Sequence, residues 1–397
     1  VNGNCGLSAA PMRRAKRAEI AAYLQPICGE MPKQVPTDSL ADFFAGQPEA
    51  PIHTDLLLGA VIERAPMAAD ALEHLEDRHY KAIHRAMEQA LADGALGVSL
   101  GLGYAPECFY TTQELIRALE PLTGQSIPVT VHMRQEGGGV LEALEEMLAV
   151  ARTLRIPVHI SHLKAMGRDN WGVKISRALA MLEQARQEGL EVGCDVYPYT
   201  AGSTQLIHVL PPEVQAGGTA ALTAALGDPS RRAAIRQRME TGTDFENISL
   251  LVGFDNILAT GLHRPEDLPL EGKSIAEIAD LENKDPFDAL FDLLEREACG
   301  PAMIDFITHE EDIADILRAP FSSVISDATY PAQGLPHPRV YGTFPRLLET
   351  YVRQRGVLTL PQAVRKMTRL PADRLGLSPL FQIRGHRARR RRRSLPL

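Results

Sequence analysis

Short apolar runs alternate with longer amphipathic segments along much of this chain. The segments between the runs place apolar side chains three and four positions apart over about 12–25 residues, the spacing of helices packed on one face. This alternation predicts parallel βαβ units. The apolar runs of the first half cover residues 54–61, 95–102, 127–132, 156–162 and 190–199.

The pattern changes between residues 203 and 300, which are rich in proline, aspartate and charged helical segments. We interpret this stretch as an insertion or lid on the functional face. Apolar runs at 302–308 and 322–327 indicate that the βα units then resume, followed by a loop at 335–346. The sequence therefore predicts an α/β TIM-type barrel over residues 1–380, with the insertion at 203–300 and a tail at 381–397.

Charge is unevenly distributed. The chain carries −8 overall, but residues 384–397 contain seven arginines and no acid, so the rest carries −15. An acidic body argues against nucleic acid as a partner, and we expect the basic tail to be disordered. Five scattered cysteines without a CxxC pair predict free thiols in a reducing compartment, the cytoplasm. No apolar run approaches the ~20 residues of a membrane span.

Polar residues stand where several apolar runs end. The carboxyl ends of neighbouring parallel strands lie about 5 Å apart and carry the active site of a βα-barrel. A thiolate and two imidazoles form a good zinc set with an open fourth position, typical of a catalytic site. The residues at these ends are Cys5, His132, His162 with Lys164, Asp195 with Tyr197, and Asp327.

Other interpretations of the same residues stay open. Histidine in an apolar run is often a satisfied core residue, and a free cysteine such as Cys5 is often a small buried hydrophobe. Asp327 fits either a proton carrier or a loop cap. Lys164 and Arg339 fit either a substrate carboxylate or solvent. Spacing alone indicates a metal-dependent hydrolase on an α/β barrel.

Five ordered motifs carry a resemblance: GNCGLSAAP, VHMRQEG, ISHLKAMG, DVYPYTAGST and HPRVYGTFPR. Together they resemble the N-acyl-D-amino-acid deacylases, or D-aminoacylases, of the amidohydrolase superfamily, from residue 1 to about 380. The resemblance implies a zinc-dependent hydrolase that cleaves the amide of a small N-acyl-D-amino acid. It implies zinc ligands at Cys5, His132 and His162, a catalytic acid–base at Asp327, and substrate-carboxylate binding by Lys164, Tyr197, Ser203 and Arg339.

The chain also departs from the family pattern. No HxH motif precedes Cys5, Ala60 and Leu163 replace histidines, and the arginine-rich end replaces an apolar strand. We therefore expect one tight zinc site rather than two, and a chain lacking the first barrel strand and most of the small β-domain. The alternatives are a cyclic amidase of the dihydroorotase or hydantoinase kind, an inactive fragment, and a chain whose arginine-rich tail binds polyanions. Oligomeric state, acyl group and amino acid are left open.

Overall fold

The computed structural model describes residues 3–8, 10–11, 17–30, 36–46, 58–59, 75–331 and 333–377. The predicted alternation of strands and helices is present from residue 75 to residue 200. The basic tail, most of the predicted strand at 54–61 and Ala60 lie outside the described residues.

A six-stranded parallel sheet forms the centre of the molecule, in the order β1-β2-β3-β4-β5-β9. Each described strand is short, and the interior strands are buried on both faces, as parallel sheets covered by helices are. His132 ends β3 opposite Gly101, the last residue of β2. The strands are β1 (Leu58–Gly59), β2 (Val98–Gly101), β3 (Val129–His132), β4 (Val158–Ile160), β5 (Val192–Val196) and β9 (Ser322–Val324).

Helices follow the strands because apolar residues repeat at helical spacing in these segments, and some of the helices begin at a side-chain cap. Thr111 and Glu114 form a capping box at the start of one helix. In the part of the chain described, no helix combines the length and apolarity needed to cross a membrane. The longer helices are Arg17–Cys28, Asp77–Ala92, Thr112–Ala118, Val140–Leu154, Lys174–Gln187, Gly218–Leu226, Pro229–Thr241, Ile275–Glu282, Pro286–Arg296, Glu310–Arg318, Arg339–Arg346 and Leu360–Met367.

The run at 302–308 is not the parallel strand that we predicted. It forms β8 (Ala302–Phe306), which pairs antiparallel with β6 (Ala201–Gln205) and β7 (Ile257–Thr260) in a separate sheet. The insertion at 203–300 thus contributes its own apolar core, which packs against this second sheet. A buried strand reads as an apolar run in either kind of sheet, so the run alone does not specify strand direction.

One further expectation is not confirmed and another needs correction. Among the described residues the parallel strands form an open sheet with β1 and β9 at its edges, so closure into a barrel is not confirmed. The predicted loop at 335–346 contains the helix Arg339–Arg346, with Pro338 as its N-cap. Proline at a helix start removes no helical hydrogen bond, so the prolines here do not require a loop, and the predicted loop is wrong at this point. The hydrogen bonding changes to π-helical over Leu347–Gln354.

Candidate active site

Three soft or borderline donors converge at the carboxyl ends of β3 and β4. The Cys5 Sγ lies 3.0 Å from the His162 Nε2 atom, which lies 3.1 Å from the His132 Nδ1 atom. All three atoms lie within 4.8 Å of one another. His132 ends β3, His162 follows β4 by two residues, and Cys5 reaches the same point from a turn far upstream. One metal ion can therefore contact a thiolate and two imidazoles here.

The backbone at this cluster is held in an unusual conformation. Cys5, His162 and Asp327 have φ angles of +54°, +39° and +48°. Non-glycine residues rarely adopt this left-handed region, and such strain costs about 1–3 kcal/mol per residue and concentrates at functional sites. The surrounding structure stabilises these unfavourable backbone conformations, which bring the three side chains close together.

Glu136 contacts both histidines and Lys164, and it was not among the residues named from the sequence. Its Oε1 atom lies 3.0 Å from the His162 Nδ1 atom, and its Oε2 atom accepts a hydrogen bond from the Lys164 Nζ at 2.7 Å. The carboxylate also lies 3.6 Å from the His132 Nε2 atom. A carboxylate on the far nitrogen of a histidine fixes the tautomer that leaves the other nitrogen for a metal. The only feature of the sequence that pointed to Glu136 was its position four residues after His132.

The fit of the site to a metal rests on its donor chemistry. Burial lowers the pKa of His132 to about 3, so this imidazole is neutral, the form that binds a metal. Burial also raises the pKa of the Cys5 thiol. A buried thiol becomes a thiolate readily only beside a positive charge, which a divalent cation supplies. One thiolate and two imidazoles are a donor set that suits zinc. Burial lowers the pKa of His162, but the charges of Cys5 and Glu136 outweigh it and raise this pKa, so a bound metal would have to displace the proton of His162.

A second cluster, centred on Tyr197, lies beside the first. The Asp327 Oδ2 atom lies 2.7 Å from the Arg339 Nη1 atom, and the Arg339 Nη2 donates to the carbonyl oxygen of Ser203 at 2.8 Å. The Arg339 guanidinium carbon lies 4.7 Å from the centroid of the Tyr197 ring, and the Lys164 Nζ lies 6.0 Å from it. Two cations therefore flank one buried aromatic ring.

Every site residue named from the sequence lines one cavity of about 720 Å³. Burial raises the pKa of Asp327, but Arg339 and His162 outweigh this and hold it below its ordinary value. Asp327 is therefore ionised at neutral pH. Lys164 and Arg339 are not free cations, because each already pairs with a protein carboxylate. Ser203 accepts a hydrogen bond from Arg339 through its backbone carbonyl and lines the cavity.

Asp195, another acid at a strand end, supports His162. Its Oδ1 atom accepts the backbone N–H of His162, and its Oδ2 atom lies 2.8 Å from the His159 Nε2 atom. Both contacts are buried or nearly so. This acid therefore positions the strand end rather than facing the metal donors.

Two further acids of the same cavity were also missed. Glu246, from the insertion, accepts the backbone N–H of Glu136, and burial together with the Glu136 charge raises its pKa to about 7. Asp305 lies inside the apolar run AMIDFI of β8 and lines the cavity. Asp327 was named because it ends an apolar run, whereas Asp305 stands inside one, so the same criterion did not select Asp305.

No family model matches the chain. It is 31% identical over 383 residues to a D-aminoacylase of Alcaligenes xylosoxydans xylosoxydans, and the match covers 96% of this chain and 68% of that protein. The chain belongs to the D-aminoacylase family. An N-acyl-D-glutamate deacylase of the same organism is also 31% identical, over 95% of this chain and 67% of its own length. These relatives are hydrolases that act on amide bonds.

Solved structures agree with the family assignment. An N-acyl-D-glutamate deacylase from Bordetella bronchiseptica, complexed with zinc and a phosphonate mimic of the tetrahedral intermediate, superposes with a TM-score of 0.73. It is 29% identical in sequence, and the match covers 95% of this chain and 68% of that one. The D-aminoacylase family therefore accounts for most of this chain, and the chain spans about two thirds of these relatives.

Proposed function

We propose that this chain hydrolyses the amide bond of N-acyl-D-amino acids to a carboxylate and a free D-amino acid. The observation that carries the proposal is one cavity in which three metal donors, an ionised aspartate and two cations meet. The family membership supports the same reaction, since its named relatives are D-amino-acid deacylases.

In this proposal Cys5, His132 and His162 hold one zinc ion. Bound zinc acts as a Lewis acid and lowers the pKa of water toward neutrality. Glu136 fixes the orientation of His162 through its Nδ1 atom, 3.0 Å away. The Glu136 carboxylate also compensates the positive charge of Lys164, so the buried imidazole of His162 does not lie beside an unpaired cation.

Asp327 carries the proton. As an ionised carboxylate it accepts the proton of the attacking water and then donates it to the leaving amide nitrogen. Its partner Arg339 makes it a weak base before substrate binds. A substrate carboxylate on the same guanidinium would draw that charge away and raise the pKa of Asp327. Substrate binding would therefore activate the base that acts on it.

Lys164, Tyr197, Ser203 and Arg339 bind the substrate's carboxylate. The two cations flank the Tyr197 ring, and an Arg fork suits a planar carboxylate. Glu136 and Asp327 hold these cations in place before substrate arrives. The substrate's carboxylate then competes for cations that are already oriented, which lowers the entropy lost on binding.

The geometry does not favour the cyclic-amidase alternative. That reading requires a neutral lysine that takes up carbon dioxide and becomes an anionic metal bridge. Burial lowers the pKa of Lys164, but Glu136 outweighs it and keeps the amine charged. The Glu136 Oε2 atom lies 2.7 Å from the Lys164 Nζ, so carbamylation of Lys164 would also place a new anion beside the Glu136 carboxylate. Lys164 is therefore a counter-ion in this site.

Activity and metal content test the proposal together. We expect hydrolysis of N-acetyl-D-leucine but not of its L enantiomer, with about one zinc per chain by elemental analysis. Asp327→Asn should lower kcat by roughly 10²–10⁴-fold with zinc retained, the usual contribution of a positioned acid–base. Asp315→Asn, which changes an exposed acid paired with Arg318, is the control. Equal activity on both enantiomers, or full activity in Asp327→Asn, would exclude this mechanism.

A further inference from the structure

Asp305 is a buried acid that the proposed mechanism does not use. The residue is 2% exposed, and within the described ranges its Oδ1 atom has no hydrogen-bond partner. It faces the cavity that contains the metal donors and the cation pair. Buried carboxylates are almost always paired, because an unpaired one costs substantial desolvation energy. Such an atom in a cavity wall points to a ligand.

Its position in the second sheet places the Asp305 carboxylate near the cluster centred on Tyr197. Asp305 on β8 pairs with Gly202 on β6, the residue before Ser203. A Cβ atom added to Gly202 would lie 2.9 Å from the Asp305 Oδ1 and 3.3 Å from the Tyr197 Oη. The two oxygens therefore lie on the same side of Gly202, whose bare Cα lets Asp305 and Tyr197 pack closely there together with Ile307. Lys164 and Arg339 also act electrostatically on Asp305, so a substrate held by these two cations lies in the same part of the cavity.

The protein's own cations do not neutralise Asp305. Lys164 is paired with Glu136 at 2.7 Å, and Arg339 with Asp327 at 2.7 Å. Burial raises the pKa of Asp305 to about 6, and these two cations offset the burial only in part. The carboxylate is ionised at pH 8, and among the described residues it has no positive partner of its own.

We propose that Asp305 is a specificity-determining residue, which binds a positively charged side chain on the N-acyl-D-amino acid. The proposal rests on the proposed function and names its substrate class: Nα-acyl derivatives of basic D-amino acids such as D-lysine. A cationic side chain supplies the missing partner of Oδ1, whereas an apolar one leaves it unpaired. An acidic side chain would add a carboxylate beside Asp305 and is disfavoured by like-charge repulsion.

A structural role for Asp305 is the competing explanation, and a second buried aspartate shows what that role looks like. Asp312 is 1% exposed, and both of its oxygens accept the backbone N–H of Gly172, at 3.0 and 3.2 Å. Asp312 caps a turn and does not belong to the cavity wall as described. It is therefore a matched control for Asp305, equal in chemistry and burial and different in what it faces.

The test measures binding by calorimetry at pH 8, using Nα-acetyl-D-lysine, N-acetyl-D-norleucine and N-acetyl-D-glutamate. Because the active chain would hydrolyse these ligands, the wild-type comparison and every variant carry Asp327→Asn in this assay. Norleucine has the same carbon chain as lysine without the charge. We expect the lysine derivative to bind ~10–100-fold more tightly than the norleucine derivative, the range for a hydrogen bond to a charged group. Asp305→Asn should reduce this ratio to within about threefold, and Asp312→Asn should leave it unchanged. The same ratio should appear in kcat/KM.

Each outcome decides one claim. Equal binding of the lysine and norleucine derivatives to the chain that retains Asp305 overturns the role of Asp305, and so does a preference for the glutamate derivative. Either result leaves the proposed deacylase function intact if any N-acetyl-D-amino acid binds and is hydrolysed. If none binds, the proposed function fails and this inference fails with it. The wild-type comparison alone decides the matter if Asp305→Asn does not fold.

Discussion

Removing the charge of Glu136 is the most informative single change to this molecule. The Glu136–Lys164 ion pair is 2.7 Å long, and its side chains are only 3% and 7% exposed. At an effective dielectric constant of about 20, the attraction across this distance is roughly 6 kcal/mol before desolvation is subtracted. Glu136→Gln keeps the shape and removes the anion, leaving Lys164 buried and uncompensated.

Two separate losses should follow from Glu136→Gln. Breaking a buried ion pair from one side costs about 3–5 kcal/mol, a large part of the ~5–15 kcal/mol stability of a typical domain. Independently, His162 loses the carboxylate on its Nδ1 atom, and losing such a partner lowers metal affinity by ~10–100-fold. Denaturant unfolding with excess chelator measures the first loss, and zinc competition with a chromophoric chelator measures the second.

The double variant Glu136→Gln/Lys164→Met separates the two effects. It leaves no unpaired charge, so stability should largely return, whereas zinc affinity should stay low because His162 still lacks its carboxylate. If zinc affinity returned together with stability, Glu136 would act only through folding. Wild-type stability and wild-type zinc affinity in the single variant would refute the reasoning altogether.

Three further outcomes are expected. Cys5→Ser should lower zinc affinity by at least ~100-fold with far-UV circular dichroism unchanged, since a hydroxyl is a poor zinc ligand; tight zinc binding in this variant would remove Cys5 from the set. Asp305→Asn should stabilise the protein at pH 8 and not near pH 4. The pKa of Asp305 in the folded protein, about 6, lies above its ordinary value of 3.8, so the ionised form lowers the free energy of unfolding above pH 6 by roughly 3 kcal/mol. Denaturant unfolding between pH 4 and pH 8 checks this prediction, and a pH-independent difference would contradict it. Gly202→Ala should destabilise the chain by about 1–3 kcal/mol in the same assay, because its methyl would meet the Ile307 Cδ1 at 2.7 Å; unchanged stability would mean that the cavity wall yields there.

Local pattern was enough to predict most elements between residues 75 and 200. The predicted helix at 174–188 is observed as Lys174–Gln187, and the predicted strand at 190–199 is observed as Val192–Val196. These elements bury one face or one run against a regular neighbour, so hydrophobic periodicity reports them directly. The same logic led to His132 and His162, because a strand's last residue is visible where its apolar run stops.

The direction of β8 was not predictable in this way. An apolar run of five or six residues buries equally well in a parallel or an antiparallel sheet, and only its partners β6 and β7 decide which. The helix Arg339–Arg346 was missed for a related reason, since its prolines read as loop until Pro338 is seen to be the N-cap. In both cases the deciding contact lies outside the segment itself.

Some residues of the candidate site were also predictable from local pattern, and others depended on distant contacts. Residue type and position along the chain were enough to name Cys5, His132, His162 and Asp327, because metal donors and an acid at strand ends are visible in one dimension. The partners Glu136 and Asp305 emerged only in three dimensions. Whether a carboxylate is paired, orphaned or solvated depends on neighbours more than 25 residues away, such as Lys164 for Glu136 and Gly202 for Asp305. The residue types show which chemistry is available, but whether a buried charge is compensated depends on the folded cavity.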